Sequence, residues 1–154
     1  MRLAVLAVGR LKTPYWLDAQ KEYLSRIRRY APTELVEIKD RVGKGQEDLS
    51  AMSAEGEAIL EKAADWPALI ALTPEGSLLD SLAWSKTLGK LSETYSRLAF
   101  VIGGPVGISS AVLKKSVLKL SLSPMTFPHE MARIVFLEQL YRALTLLNGE
   151  KYHK

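Results

Sequence analysis

Cysteine is missing altogether from the 154 residues, and histidine occurs twice, as His129 and His153. Disulfides and thiolate metal ligation are therefore excluded, and a structural zinc site has too few ligands, so no metal is expected. No apolar run reaches bilayer length. The opening MRLAVLAVG is too short in its apolar part for a signal peptide and has no convincing cleavage site, so it reads as a first strand in a cytoplasmic protein. Neither GxxxxGK[ST] nor GxGxxG occurs, which removes the P-loop and the dinucleotide fingerprint. There is no linker-like stretch, repeat or low-complexity segment, and one domain over residues 1–154 is the expectation.

What is present is an ordinary globular mixture, 47% hydrophobic and 25% charged, with 21 Lys+Arg against 17 Asp+Glu and a net charge of +4. That surplus permits a polyanionic partner without requiring one. Apolar runs at Arg2–Val8, Thr33–Ile38, Ala68–Leu72, Leu98–Ile102 and Lys119–Leu122 read as strands. Helical spacing covers Pro14–Tyr30, Ser50–Ala64, Leu82–Thr94 with Asp80 as its cap, Ser109–Leu118, and Pro128–Leu147. Strands alternating with helices predict an α/β fold, a mainly parallel sheet with helices on both faces. In such sheets ligands sit beyond the carboxyl ends of the strands. Three such ends, Leu72–Gly76, Gly103–Gly107 and Leu122–Phe127, are rich in small residues and bends.

Each of these pieces also has a plain structural reading. Gly103-Gly104-Pro105-Val106-Gly107 is a strand-to-helix turn, or a place where backbone groups approach a ligand closely. Leu122–Phe127 is a turn restricted by Pro124, or a pocket wall in which main-chain groups bond the edge of a flat base between apolar side chains. The polar loop Lys39–Asp48, with Arg41, Gly43, Lys44 and Gly45, is a solvated loop or a phosphate contact. On the last helix Arg133, Leu137 and Tyr141 share one side, and Glu138 with Arg142 can pair at i, i+4. Its apolar character on nearly all sides exceeds what one sheet face buries, which favours a homodimer. His129 is a candidate base at a helix start. The final Tyr152-His153-Lys154 is a frayed tail, or an aromatic and an imidazole that meet an unpaired base.

Taken together, FVIGGPVGIS at Phe100–Ser109, LSLSPMTFPHEMARIVFLEQLYRALTLLNGEKYHK at Leu120–Lys154 and the opening LAVLAVGRLK resemble the bacterial ribosomal large-subunit pseudouridine N3-methyltransferases of the SPOUT, or α/β-knot, class. The resemblance runs from end to end. It departs from the family's pattern at Thr73, Val106 and Glu130. It implies a C-terminal trefoil knot, a homodimer, and S-adenosylmethionine held by Leu72, Gly103, Leu122, Ser123, Pro124, Met125, Thr126 and Phe127. The substrate it implies is a pseudouridine in the loop of helix 69 of 23S rRNA, methylated at N3 on the assembled 70S ribosome. His129, Arg133, Arg142, Tyr152 and His153 are then expected to face RNA, with His129, Glu138 and Arg142 as candidates for catalysis and His129, Glu138, His153 or water as the base. Two other readings remain open, a non-enzymatic RNA- or ribosome-binding module and a SPOUT methyltransferase acting on tRNA.

Overall fold

The computed structural model describes every residue except Lys44 and Gln46, so the Lys44 part of the expected phosphate loop lies outside the described residues. The chain runs β1 (Arg2–Val8), α1 (Pro14–Ile27), β2 (Thr33–Ile38), α2 (Asp48–Lys62), β3 (Ala68–Leu78), α3 (Ser81–Thr94), β4 (Arg97–Ile102), α4 (Ser110–Lys115), β5 (Ser116–Ser121) and α5 (His129–Leu147). The strands form one five-stranded sheet in the order β2-β1-β4-β3-β5, and every pairing is parallel.

Such a sheet is covered on both faces, which is why its inner strands are apolar without alternation. On β1, Leu3, Val5 and Ala7 join the core under α1, α3 and α5, while Ala4, Leu6 and Val8 join the core under α2 and α4. α5 lies between α1 and α3, with Phe136 packed on Phe100 at 5.0 Å between ring centroids. Asp80 caps α3 as its position suggests, accepting from the Ala83 N–H at 2.7 Å.

Two boundaries differ from the sequence reading. A turn is expected at Thr73–Gly76, but β3 continues to Leu78 and pairs with β5 on both sides of an excursion. Leu72 and Ser77 both face Leu120 in the register. Gly76 makes this possible, since a Cβ there would stand 2.6 Å from the Leu120 backbone carbon. The second difference is α4, expected to reach Leu118. It ends at Lys115, where Ser116 turns extended (φ −76°, ψ 129°), and Ser116–Ser121 becomes the edge strand.

The topology positions the site. β5 pairs with β3 and not with β4, so the loop after β4 carries the chain across β3 to its far side. The bends after β4 and β5 therefore straddle the end of β3.

Candidate active site

A cleft of about 210 Å³ lies at that junction. One wall is Leu72, Thr73 and Pro74, and the second is Ile102–Pro105 with Gly107 and Ile108. The third is Leu122, Ser123 and Met125–Phe127, and α5 closes the base with His129 and Ala132. Of the residues expected to hold a cofactor, Leu72, Gly103, Leu122, Ser123, Met125, Thr126 and Phe127 all line this cleft. Pro124 is exposed and does not line it; its ring shapes the bend from outside.

Local chemistry fixes each wall. The Gly107 N–H donates to the Gly104 carbonyl at 3.1 Å, closing a tight turn over Pro105 and Val106, and Gly107 sits at φ +90°. Gly103 lies against the far side of that turn. A Cβ there would be 2.8 Å from Ile108 Cγ1 and 3.0 Å from the Gly107 carbonyl, so only glycine lets the loop fold back this closely. In the third wall the Ser121 hydroxyl donates to the Ser123 carbonyl at 3.1 Å, and the Met125 N–H donates to Ser123 Oγ at 2.9 Å. Met125 remains 77% exposed at the rim.

The Thr73 hydroxyl donates to the Glu75 carboxylate, which lowers the Glu75 pKa below the usual carboxylate range. A carboxylate thus stands beside a position that has none of its own, which nothing in the spacing signals.

Behind the second wall, Glu55 on α2 is buried. One oxygen accepts from the Arg41 N–H at 3.2 Å and the other has no partner, and burial raises its pKa. Next to it, a Cβ on Gly56 would stand 2.2 Å from Ser109 Oγ, so α2 presses directly on the cap of α4. Sequence reading missed both residues, because their partners, Arg41 and Ser109, lie in loops outside α2.

Not all residues expected to face RNA come together. His129, exposed, is at the cleft. Arg142, Tyr152 and His153 form a second group at the other end of α5. From His129 to Arg142 is about 20 Å along the helix, at roughly 1.5 Å per residue. In that group Arg142 donates to Glu138 Oε1 from Nε at 3.0 Å and from a terminal nitrogen at 2.5 Å. The Tyr152 hydroxyl donates to the same oxygen at 3.1 Å, and the guanidinium lies 4.6 Å over the Tyr152 ring. These contacts raise the Arg142 pKa, chiefly through Glu138. Both Glu138 oxygens are engaged, since Gln139 Nε2 donates to Oε2 at 2.7 Å. His153 Nδ1 lies 3.3 Å from Arg142. Arginine only donates, so Nδ1 accepts, and the neutral ring carries its proton on Nε2.

Arg133 requires a correction. It was expected to face RNA, yet it is 1% exposed and its guanidinium is spent inside the protein. It donates to Gln20 Oε1 at 3.2 Å, Glu37 Oε2 at 3.2 Å, and the carbonyls of Val8 at 3.4 Å and Gly9 at 2.8 Å. A charge so buried persists because it is paired and hydrogen-bonded, and desolvation still lowers its pKa.

The donor set suits S-adenosylmethionine. Main-chain groups from three bends surround an apolar slot, and Gly103 lets its bend fold back onto Ile108 and Gly107 so that this wall stays compact. Among the described residues no group of three or more His, Cys, Asp or Glu could hold a metal, and no helix is long and apolar enough to cross a membrane.

A parallel α/β sheet whose last bends close around such a slot is the architecture of SPOUT methyltransferases, and this chain belongs to that family: the family model described as "Predicted SPOUT methyltransferase" matches residues 1–153. The chain is an enzyme of this class, with S-adenosylmethionine as its cofactor. It is 40% identical over 161 aligned positions to the Ribosomal RNA large subunit methyltransferase H of Alkaliphilus oremlandii, and 41% identical over 162 to that of Bacillus thuringiensis, with all of both chains covered in each case. Among solved structures, a tRNA (m1G37) methyltransferase from Aquifex aeolicus aligns over 100% of this chain and 75% of its own at 18% identity and a TM-score of 0.59. A probable methylase family protein from Haemophilus influenzae aligns over 99% and 70% at 13% identity and a TM-score of 0.60. At such identities these two share the fold alone.

Proposed function

We propose that the protein is a cytoplasmic 23S rRNA methyltransferase that transfers a methyl group to N3 of a pseudouridine in the helix 69 loop of the assembled ribosome. The observation that carries the reading is the cleft itself, formed by the three bends the resemblance assigns to the cofactor, with His129 at its edge. Full-length relatives named for large-subunit rRNA methylation support the substrate class over tRNA. The trefoil knot belongs to this reading as well.

S-adenosylmethionine, which Leu72, Gly103 and the bend Leu122–Phe127 would hold, would supply an electrophilic methyl for N3 of the base, with the N3 proton passing to a base and the sulfur keeping the C–S electron pair. The chain's task is to hold the nitrogen in line behind that methyl in a partly dried slot. Leu122 and Phe127 exclude water, with Met125 at the rim, and the bends supply fixed main-chain partners. His129 is the base that this geometry favours, because it alone of the protein candidates stands at the cleft of its own chain. Glu138 has both oxygens occupied.

A homodimer completes the site in this reading. With the α5 helices of two copies antiparallel, the Arg142, Tyr152 and His153 group of one subunit meets the cleft of the other. The half-buried Met131, Val135, Gln139 and Leu146 on the outer side of α5 supply the contact. His153 of the partner subunit then offers its Nε2–H to a base carbonyl, and Arg142 faces phosphate.

The test is incubation with labelled S-adenosylmethionine and either intact ribosomes, free 23S rRNA or tRNA, followed by nucleoside mass analysis. N3-methylated pseudouridine from ribosomes supports the reading. Label in tRNA overturns the substrate, and no label with no cofactor binding overturns the enzyme.

A further inference from the structure

The sheet's carboxyl edge continues past the cleft, from β4 across β1 to β2, and this extension has a composition the cleft does not use. Val8 pairs with Ile38, and the Gly9 N–H donates to the Ile38 carbonyl at 2.8 Å. The strand ends are therefore level, and Arg10 and Lys12 after β1 rise beside Lys39 and Arg41 after β2. All four are exposed, and none has a carboxylate partner among the described residues.

The acidic groups of the same edge are turned to other partners. Glu130 is held by the Lys12 N–H and the Thr13 hydroxyl, Glu37 by Arg133, Asp40 by the Val42 N–H at 2.9 Å, and Glu55 by the Arg41 N–H. Glu47 and Asp48 stand farther on, at the start of α2, where anions complement the helix dipole. Three residues after Lys12, at the start of α1, Tyr15 presents an exposed ring, 66% accessible, braced edge-on by Trp16 at 5.0 Å. Level strand ends bearing cations, with an exposed aromatic just after one of them, are what a single strand of nucleic acid needs: charge for its phosphates and a face for a base.

Position relative to the cleft makes this more than a basic patch. Lys12 is tied through its N–H to Glu130, the residue after His129, at 2.8 Å. The Lys12 backbone is thus in fixed register with the cleft's own histidine. From β4 to β2 is two interstrand steps, about 10 Å.

Resting on the reading that the chain acts on RNA, we infer that Arg10, Lys12, Lys39, Arg41 and Tyr15 form a track for the single-stranded RNA flanking the target nucleotide. The cations meet successive phosphates, and Tyr15 stacks on an unpaired base. The track places the target in the cleft by fixing its neighbours, and it reads no base identity.

The experiment measures affinity against salt concentration without cofactor, using two probes: large ribosomal subunits lacking the modification and a single-stranded RNA hairpin loop. Compared are the wild type, the combined Arg10→Gln, Lys12→Gln, Lys39→Gln, Arg41→Gln variant, and Tyr15→Ala. The combined variant is expected to bind more weakly and to lose about 0.7 from the log–log salt slope for each phosphate released. Tyr15→Ala is expected to lose affinity on the order of tenfold with its slope unchanged. Calorimetry should show S-adenosylmethionine binding to both variants as to the wild type. An unchanged slope in the combined variant overturns the track. So does a Tyr15→Ala variant whose assembly state changes while its RNA affinity does not. Failure of the wild type to bind S-adenosylmethionine would instead defeat the methyltransferase reading and leave the slope to judge the track.

Discussion

Glu130 Oε1 accepts the Lys12 N–H at 2.8 Å while Oε2 takes the Thr13 hydroxyl at 3.0 Å, so one carboxylate joins the start of α5 to the start of α1. These bonds, the Lys12 N–H first, favour the ionised form and hold the Glu130 pKa below its usual 4.5. A depressed carboxylate contributes stability above its unfolded pKa and loses it as pH falls through the folded one. Below about pH 4.5 the wild type should lose stability faster than Glu130→Gln, and the two should converge at lower pH. Melting temperatures across that range check it; parallel curves would deny the tie.

Tyr30 behaves in the opposite sense. Burial, and then the bond from its hydroxyl to Glu150 at 2.8 Å, raise its pKa to about 12. The protonated form is the one the fold stabilises, so the contribution is complete below pH 10 and is lost as pH rises toward 12. Tyr30→Phe should flatten the alkaline limb of the stability profile over that window.

Arg133→Met tests the buried guanidinium. It strands the carbonyls of Val8 and Gly9 and leaves Glu37 unpaired, and should cost about 3 kcal/mol in urea unfolding. A surface RNA contact would cost within about 0.5 kcal/mol. A variant as stable as the wild type contradicts the placement.

The shared-site reading predicts complementation. Arg142→Ala, or loss of Tyr152–Lys154, should abolish RNA methylation and spare cofactor binding. Gly103→Val should lose the cofactor. Co-folded in one preparation, the two defective chains should regain activity, because half of the mixed dimers' sites combine an intact cleft with an intact tail. No recovery would place each site within one chain.

Much of this architecture was legible in the sequence because it follows local rules. β1 is apolar without alternation, Asp80 stands where α3 needs a cap, and the glycines of the β4 loop lie where a strand end meets the cleft. What escaped reading depends on distant partners. The spacing rightly set Arg133 on one side with Leu137 and Tyr141, but that side faces inward, and Gln20, which accepts its hydrogen bond, and Glu37, which neutralises it, are 113 and 96 residues away. Thr73–Gly76 looks like a turn, yet β5 draws the chain back into the sheet. Glu55 carries no signal in its own neighbours, since its partner is the Arg41 N–H and its free oxygen lies behind the Gly104 loop.

The most direct measurement is calorimetric titration of S-adenosylmethionine into the wild type, Gly103→Val and Arg142→Ala. A Cβ at position 103 would collide with Ile108 and Gly107, whereas Arg142 lies at the far end of α5. The account predicts equal affinity for the wild type and Arg142→Ala and at least about a tenfold loss, ~1.4 kcal/mol, for Gly103→Val. Full affinity in Gly103→Val would contradict it.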